Sequence, residues 1–212
     1  MNDQYTANRQ VFVAIGALMG WLAVGLQLYL IILNRVMSIP LTIVQFFSFF
    51  TILTNILVAL CFTFLWLRPQ SDRGIFFSSP QTSTAIAVYI VIVGLVYNLI
   101  LRQLWAPQGL QRVVDEALHS VMPIYFAFYW FIFVPKEKLA WANVPVWLLY
   151  PLGYIVYILI RGEFSGLYPY PFIDVSKLGY AQVMQNSVFL TLAFLVISLL
   201  FVGLGKVLSR NT

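Results

Sequence analysis

Phe46-Phe47-Ser48-Phe49-Phe50-Thr51-Ile52-Leu53-Thr54-Asn55, inside the apolar run from Leu41 to Leu67, is the stretch on which the reading of this chain turns. At about 100° per residue, Gln45, Ser48, Thr51, Thr54 and Asn55 share one half of a helix, and the phenylalanines and leucines take most of the rest. The run has the length and apolarity of a membrane span, yet it carries too many polar groups for one. Polar side chains at bilayer depth are costly and ask for a reason. The reading adopted is that this half helix lines a reactive cavity, with Thr51 as nucleophile and His119, the only histidine in the chain, supplied by another span.

The surrounding composition supports a membrane setting. Of 212 residues, 61% are apolar and 9% charged, about a third of the usual ~25% charged share, and the mean hydropathy is +0.89. Apolar runs of about 20 residues, the length that crosses a ~30 Å hydrocarbon core, can be laid down six times. The expectation is an all-α integral membrane bundle of six transmembrane helices in one domain, with spans at about 10–33, 41–67, 82–103, 112–134, 144–160 and 181–207. The net charge of +5 sits at span ends, where lysine and arginine sort topology, and forms no basic patch, so no nucleic acid is indicated. Cys61, the single cysteine, excludes a disulfide within the chain and reads as a small core residue. The opening Met-Asn-Asp-Gln-Tyr has no basic region, and the apolar run behind it is too long for a signal peptide, so the first span is expected to stay in the protein.

Taken in order, the first span carries Gly16 and Gly20 at the four-residue spacing that lets helices approach closely. Residues 69–80 read as a polar loop. In the third span Gly94, Asn98 and Arg102 follow one another at i+4 and form a stripe. The fourth holds Asp115, Glu116, His119 and Ser120 near its start. The segment 161–174 contains two glycines and two prolines, which predict irregular backbone rather than helix. The sixth span opens with Gln182, Gln185 and Asn186. Threading six spans puts Arg9, Arg68, Arg73, Lys136, Lys138, Lys206 and Arg210 on the side of the termini and Arg35, Arg102, Arg112, Arg161 and Lys177 on the other. Seven against five favours cytoplasmic termini.

The same threading assigns depth. Thr51 lies roughly 15 Å and His119 roughly 10 Å from the non-cytoplasmic face at 1.5 Å per residue, and Asn98, Arg102, Gln185 and the Tyr168–Tyr170 loop fall in that half, leaving the inner half almost wholly apolar. An ionisable group within a span is a functional candidate by default. Asp115, one turn before His119, is placed to orient its ring as the third member of a triad does. Pro123 has no N–H, frees the carbonyl of His119 and should kink the helix. Glu116 reads as a headgroup-region carboxylate. Most membrane threonines bond back to a carbonyl one turn earlier, and on spacing alone Ser48 and Thr54 are hydroxyls as good as Thr51. Asn55 and Asn98 are candidate oxyanion donors, with interhelical glue as the ordinary alternative.

Three stretches together resemble the androgen-induced protein family, six-span membrane hydrolases with a threonine nucleophile, and its bacterial relatives: Phe50-Thr51-Ile52-Leu53-Thr54-Asn55, Leu118-His119-Ser120-Val121-Met122-Pro123 and Gly166-Leu167-Tyr168-Pro169-Tyr170-Pro171-Phe172. The resemblance implies a multi-pass protein of a bacterial inner membrane that hydrolyses fatty acid esters of hydroxy fatty acids. It puts the family threonine on Thr51 and the family histidine on His119. Animal members carry a carboxylate three residues after the threonine, where this chain has Thr54.

The expected chemistry is proton removal from Thr51 by His119, attack on an ester carbonyl and hydrolysis of the acyl-enzyme. The partner is a lipid ester drawn from the bilayer, and neither cofactor nor metal is needed. Arg102 is the candidate to hold a substrate carboxylate, with Ser48, Thr54, Gln185, Tyr168 and Tyr170 as further substrate contacts and headgroup snorkelling as the alternative for Arg102. A zinc amidase lacks ligands, since one histidine and no nearby cysteine build no three-ligand site without several carboxylates. No Gly-x-Ser-x-Gly elbow supports a serine protease. The remaining alternative is a transporter or lipid-binding protein that uses the same cavity without reaction; the apolar inner half and the lack of paired broken helices speak against transport.

Overall fold

A computed structural model describes residues 3–209, and every described element is helical. The helices are α1 (Asp3–Leu33), α2 (Ile39–Phe46), α3 (Phe50–Leu67), α4 (Asp72–Ser78), α5 (Pro80–Leu99), α6 (Gly109–Glu116), α7 (Met122–Phe133), α8 (Val144–Ser165) and α9 (Val175–Leu208). A π-helical turn, Ala117–Val121, joins α6 to α7 without a gap. Among the described residues five helices are long and apolar enough to cross a membrane: Thr6–Leu33, Phe50–Leu67, Pro80–Gln103, Trp141–Ser165 and Val175–Leu208. The stretch from α6 to α7 runs the length of the same bundle. It begins where Gln111 meets Gln27 late in α1 and ends where Lys136 and Leu139 face Gly205 late in α9.

The expected second span is two helices. Between α2 and α3 the N–H of Ser48 returns to the Gln45 carbonyl at 3.0 Å, and Phe49 takes extended backbone as the N-cap of α3. Two tyrosines outcompete the helical ladder here: Tyr154 Oη donates to the Ser48 carbonyl at 2.8 Å, and the N–H of Thr51 donates to Tyr170 Oη at 3.2 Å. Hydropathy cannot register such a break because the run remains apolar on average across it. Ser48 therefore lies outside the helix whose polar half it was assigned to.

Gly16 and Gly20 do bring α1 onto α3. A Cβ at Gly16 would lie 2.6 Å from Phe62 Cδ2, and one at Gly20 would lie 3.0 Å from Ala59 Cβ. Cys61 is fully buried in the same core. Residues 69–80 are not simply a loop, because Ser71 accepts the N–H of Gly74 at 3.2 Å and caps the short α4.

Two further boundaries move. α8 continues through the glycine-containing segment to Ser165 and stops at Gly166, whose φ of 67° is the left-handed C-cap conformation. Gly162 does not break the helix; it makes room for the ring of Tyr168, which a Cβ would meet at 2.0 Å. α9 starts earlier than residue 181, capped by Asp174, which accepts the Ser176 N–H at 3.1 Å, and it kinks at Gly179, where φ is 73°. These caps fix both ends of the loop that carries Tyr170.

Candidate functional site

Thr51 occupies the second position of α3, and that placement frees its hydroxyl. Thr42, Thr63, Thr84 and Thr191 each donate back to a carbonyl four residues earlier, at 2.6 to 3.0 Å. For Thr51 the fourth residue back is Phe47, before the helix begins. Its Oγ1 lies instead 3.3 Å from Tyr170 Oη. The two rival hydroxyls are sealed: Ser48 and Thr54 have no exposed surface, with Ser48 bonded to the Val44 carbonyl at 2.6 Å and Thr54 paired with Tyr150 Oη at 3.4 Å. Of the three, Thr51 alone lines a cavity.

That cavity, of about 550 Å³, opens among the C-terminal part of α1, the α2–α3 break, the end of α5, α6 and the Pro169–Pro171 segment. A second cavity of about 60 Å³, walled by apolar side chains of α5, α8 and α9, shares Thr51, Tyr97, Leu101 and Tyr170 with the first. Thr51 thus borders both spaces.

His119 faces the larger cavity from the π turn. Its Nδ1 lies 2.9 Å from the Asp115 carbonyl and 3.3 Å from Asp115 Oδ1, so the Nδ1 proton is held there and Nε2 is left as the basic atom. The other Asp115 oxygen accepts the hydroxyl of Tyr97, and the Tyr97 ring stacks on the imidazole at 4.0 Å between centroids. Asp115 is buried with both oxygens engaged. Tyr97 closes the set on the far side, where Arg102 lies 5.2 Å from its ring centroid. Among the described residues no hydrogen bond joins Thr51 to His119; both line the larger cavity.

Ala117–Val121 winds as a π turn just before Pro123, and two asparagines collect carbonyls there. Asn98 Nδ2 donates to the His119 carbonyl at 3.2 Å and to Gly94 at 2.8 Å. Asn55 Nδ2 donates to the Leu118 carbonyl at 3.2 Å and to Thr51 at 2.9 Å, while its Oδ1 is buried without a partner. Both amides have thus spent their N–H groups. In the free protein these asparagines, expected as oxyanion donors, bond backbone carbonyls and line neither cavity.

Several other expected contacts lie elsewhere. Arg102 is exposed, outside both cavities, and binds Glu116 through two contacts of 2.5 and 2.7 Å, with Ser120 at 3.2 Å. Glu116 is accordingly a paired carboxylate rather than a free headgroup contact. Gln185 is exposed and lines neither cavity, and Tyr168 is packed on Gly162. Neither is Thr54 in reach of a cavity. The opposite half of the bundle is also less apolar than its hydropathy suggests, since Arg9 bonds Tyr129 at 3.4 Å and Trp130 donates to Thr84 at 2.8 Å.

Gln27, Tyr97 and Gln111, polar residues of the cavity wall, escaped the sequence reading. Gln27 is a lone amide inside an apolar span, and that alone was a usable signal. No family model matches the chain, nor does any curated protein or solved structure.

Proposed function

We propose that this protein is a six-span membrane enzyme that hydrolyses lipid esters, with Thr51 as nucleophile and His119 as general base. The observation that carries the reading is that the Asp115–His119 pair lines the same cavity as Thr51, the one hydroxyl of the α2–α3 region that does so and one that lacks the usual back-bond. Attack needs the two residues within hydrogen-bond reach, which apo geometry does not require and substrate binding must bring about. His119 Nε2 takes the Thr51 proton as Oγ1 adds to the ester carbonyl. The tetrahedral oxyanion then collapses, the C–O bond to the alcohol breaks, and the departing alkoxide takes the proton from His119. Water, deprotonated by the same nitrogen, attacks the acyl-threonine, and the acid leaves as Thr51 regains its proton.

Tyr170 is the oxyanion donor. Its oxygen already accepts the Thr51 N–H, so its own proton is available to Thr51 Oγ1 in the free protein and to the ester oxygen once substrate arrives. The first turn of α3 adds the positive end of a helix dipole at the site of developing negative charge. A second reading, lipid binding without turnover, is favoured by the missing Thr51–His119 hydrogen bond.

Fluorophosphonate labelling of the purified protein separates the two. The expected result is an adduct mapped to Thr51, lost in Thr51→Ala and His119→Ala and retained in Thr54→Ala. A wild type that neither labels nor cleaves any lipid ester would leave a binding protein.

A further inference from the structure

The larger cavity has a second polar wall. Gln111 Nε2 donates to Gln27 Oε1 at 2.9 Å, and both residues line the cavity. This pairing leaves Gln27 Nε2 and Gln111 Oε1 without a protein partner among the described residues, and neither atom is sealed from the cavity as Asn55 Oδ1 is. Exchanging N and O in both amides leaves the same free set: one donor group and one acceptor. Gln111 stands two turns before His119, about 12 Å along the helix axis, so the amide pair lies apart from the reacting groups.

Among the described residues no lysine or arginine lines either cavity. The neighbouring cations are spoken for: Arg102 binds Glu116, Arg161 binds Gln45 at 2.6 Å and the Leu167 carbonyl at 2.8 Å, and Arg35 caps the Ile32 carbonyl at 2.8 Å. Arg112 is exposed and outside the cavity. The charged side chain that does line the wall beside His119 is a carboxylate, Asp115. A substrate carboxylate or phosphate in this space would be desolvated without a counter-charge and repelled by Asp115.

We propose that Gln27 and Gln111 form a headgroup subsite for an uncharged lipid bearing hydroxyl groups, of the glycerol-ester kind, and that the cavity selects against lipids with a free carboxylate or phosphate. Calling that lipid a substrate rests on the hydrolase reading; the subsite itself does not. A pair of amides offering one donor and one acceptor matches a hydroxyl, which is both. It replaces Arg102 as the element that reads the end of the lipid.

The test separates binding from turnover by using non-hydrolysable ethers. Binding to the detergent-solubilised full chain is measured by calorimetry for an alkyl glycerol ether, for an ether of a hydroxy fatty acid as the free acid, and for the methyl ester of that acid. The two neutral ligands are expected to bind at least about tenfold more tightly than the acid. Gln27→Leu and Gln111→Leu should each weaken the glycerol ether about five- to tenfold, the worth of one neutral hydrogen bond, and leave the methyl ester unchanged. Gln111→Lys should shift preference toward the free acid, a gain that misfolding cannot imitate. Equal or tighter binding of the acid to wild type, equal losses for all ligands in the leucine variants, or no binding of the neutral ethers would overturn the subsite. Hydrolysis of the matching esters is read separately. Cleavage at Thr51 with the acid preferred removes the subsite and keeps the hydrolase, whereas the expected ether pattern without cleavage does the reverse.

Discussion

Asp115 gives the sharpest residue-scale prediction because it touches His119 twice, through its carbonyl and its carboxylate, and accepts Tyr97 as well. Asp115→Asn keeps the volume and removes the charge that stabilises the imidazolium formed during attack, so kcat should fall by about 10²- to 10⁴-fold with little change in KM. Steady-state ester hydrolysis measures it; an unchanged kcat would show that the pair has no part in proton transfer. Tyr170→Phe removes one oxyanion donor and should lower kcat by about 10²- to 10³-fold while Thr51 can still be labelled. At this scale the sequence offered three hydroxyls and left the choice among them open. Ser48, Thr51 and Thr54 share a helical half on paper, and only the α2–α3 break, made by tyrosines more than a hundred positions away, distinguishes Thr51. Tyr97 was hidden for a different reason: one tyrosine in an apolar helix gives no period to detect.

At the scale of elements, the site depends on two departures from regular helix, and each has a partner that holds it. The π turn is sustained by Pro123, which cannot donate to the His119 carbonyl, and by Asn55 and Asn98, which donate to the carbonyls left over. Asn55→Leu leaves the Leu118 carbonyl buried and unbonded and should destabilise the fold by about 1–3 kcal/mol, read as a lowered unfolding midpoint in detergent. The Tyr170 loop is sustained by Gly162. Gly162→Ala drives the Tyr168 ring away from α8, and because Tyr170 follows two residues later, labelling of Thr51 should weaken even in protein that remains folded. Labelling equal to wild type would mean that the loop adapts without moving Tyr170. The proline at 123 was legible as a disturbance, and the glycines at 162 and 166 were legible as breakers. Their opposite outcomes, one packed within a helix and the other ending it, depend on where Tyr168 lies, which composition does not encode.

For the whole molecule, the decisive question is whether the stretch from α6 to α7 crosses the membrane as the five more apolar helices are built to do. Its first two turns hold Arg112, Asp115 and Glu116, a charge density that hydropathy counts against a span. Yet Asp115 is bonded inside the protein and Glu116 is paired with Arg102, so this charge is compensated by neighbours. The stretch also ends against the far end of the bundle, with Gln81 Nε2 donating to the Lys138 carbonyl at 3.4 Å and the Lys206 ammonium 5.9 Å from the Trp141 ring. Crossing is therefore the expected arrangement. Cys61, buried and alone, makes it measurable: in a Cys61→Ala background, single cysteines at Asn34, Ser71, Gln108 and Glu137 report sidedness to an impermeant maleimide in sealed vesicles. Six crossings put positions 71 and 137 on one side and 34 and 108 on the other. If the stretch does not cross, Glu137→Cys labels together with Gln108→Cys. The cavity would then lose the fixed depth on which delivery of a bilayer lipid to Thr51 depends, while the Asp115–His119 geometry would stand unchanged.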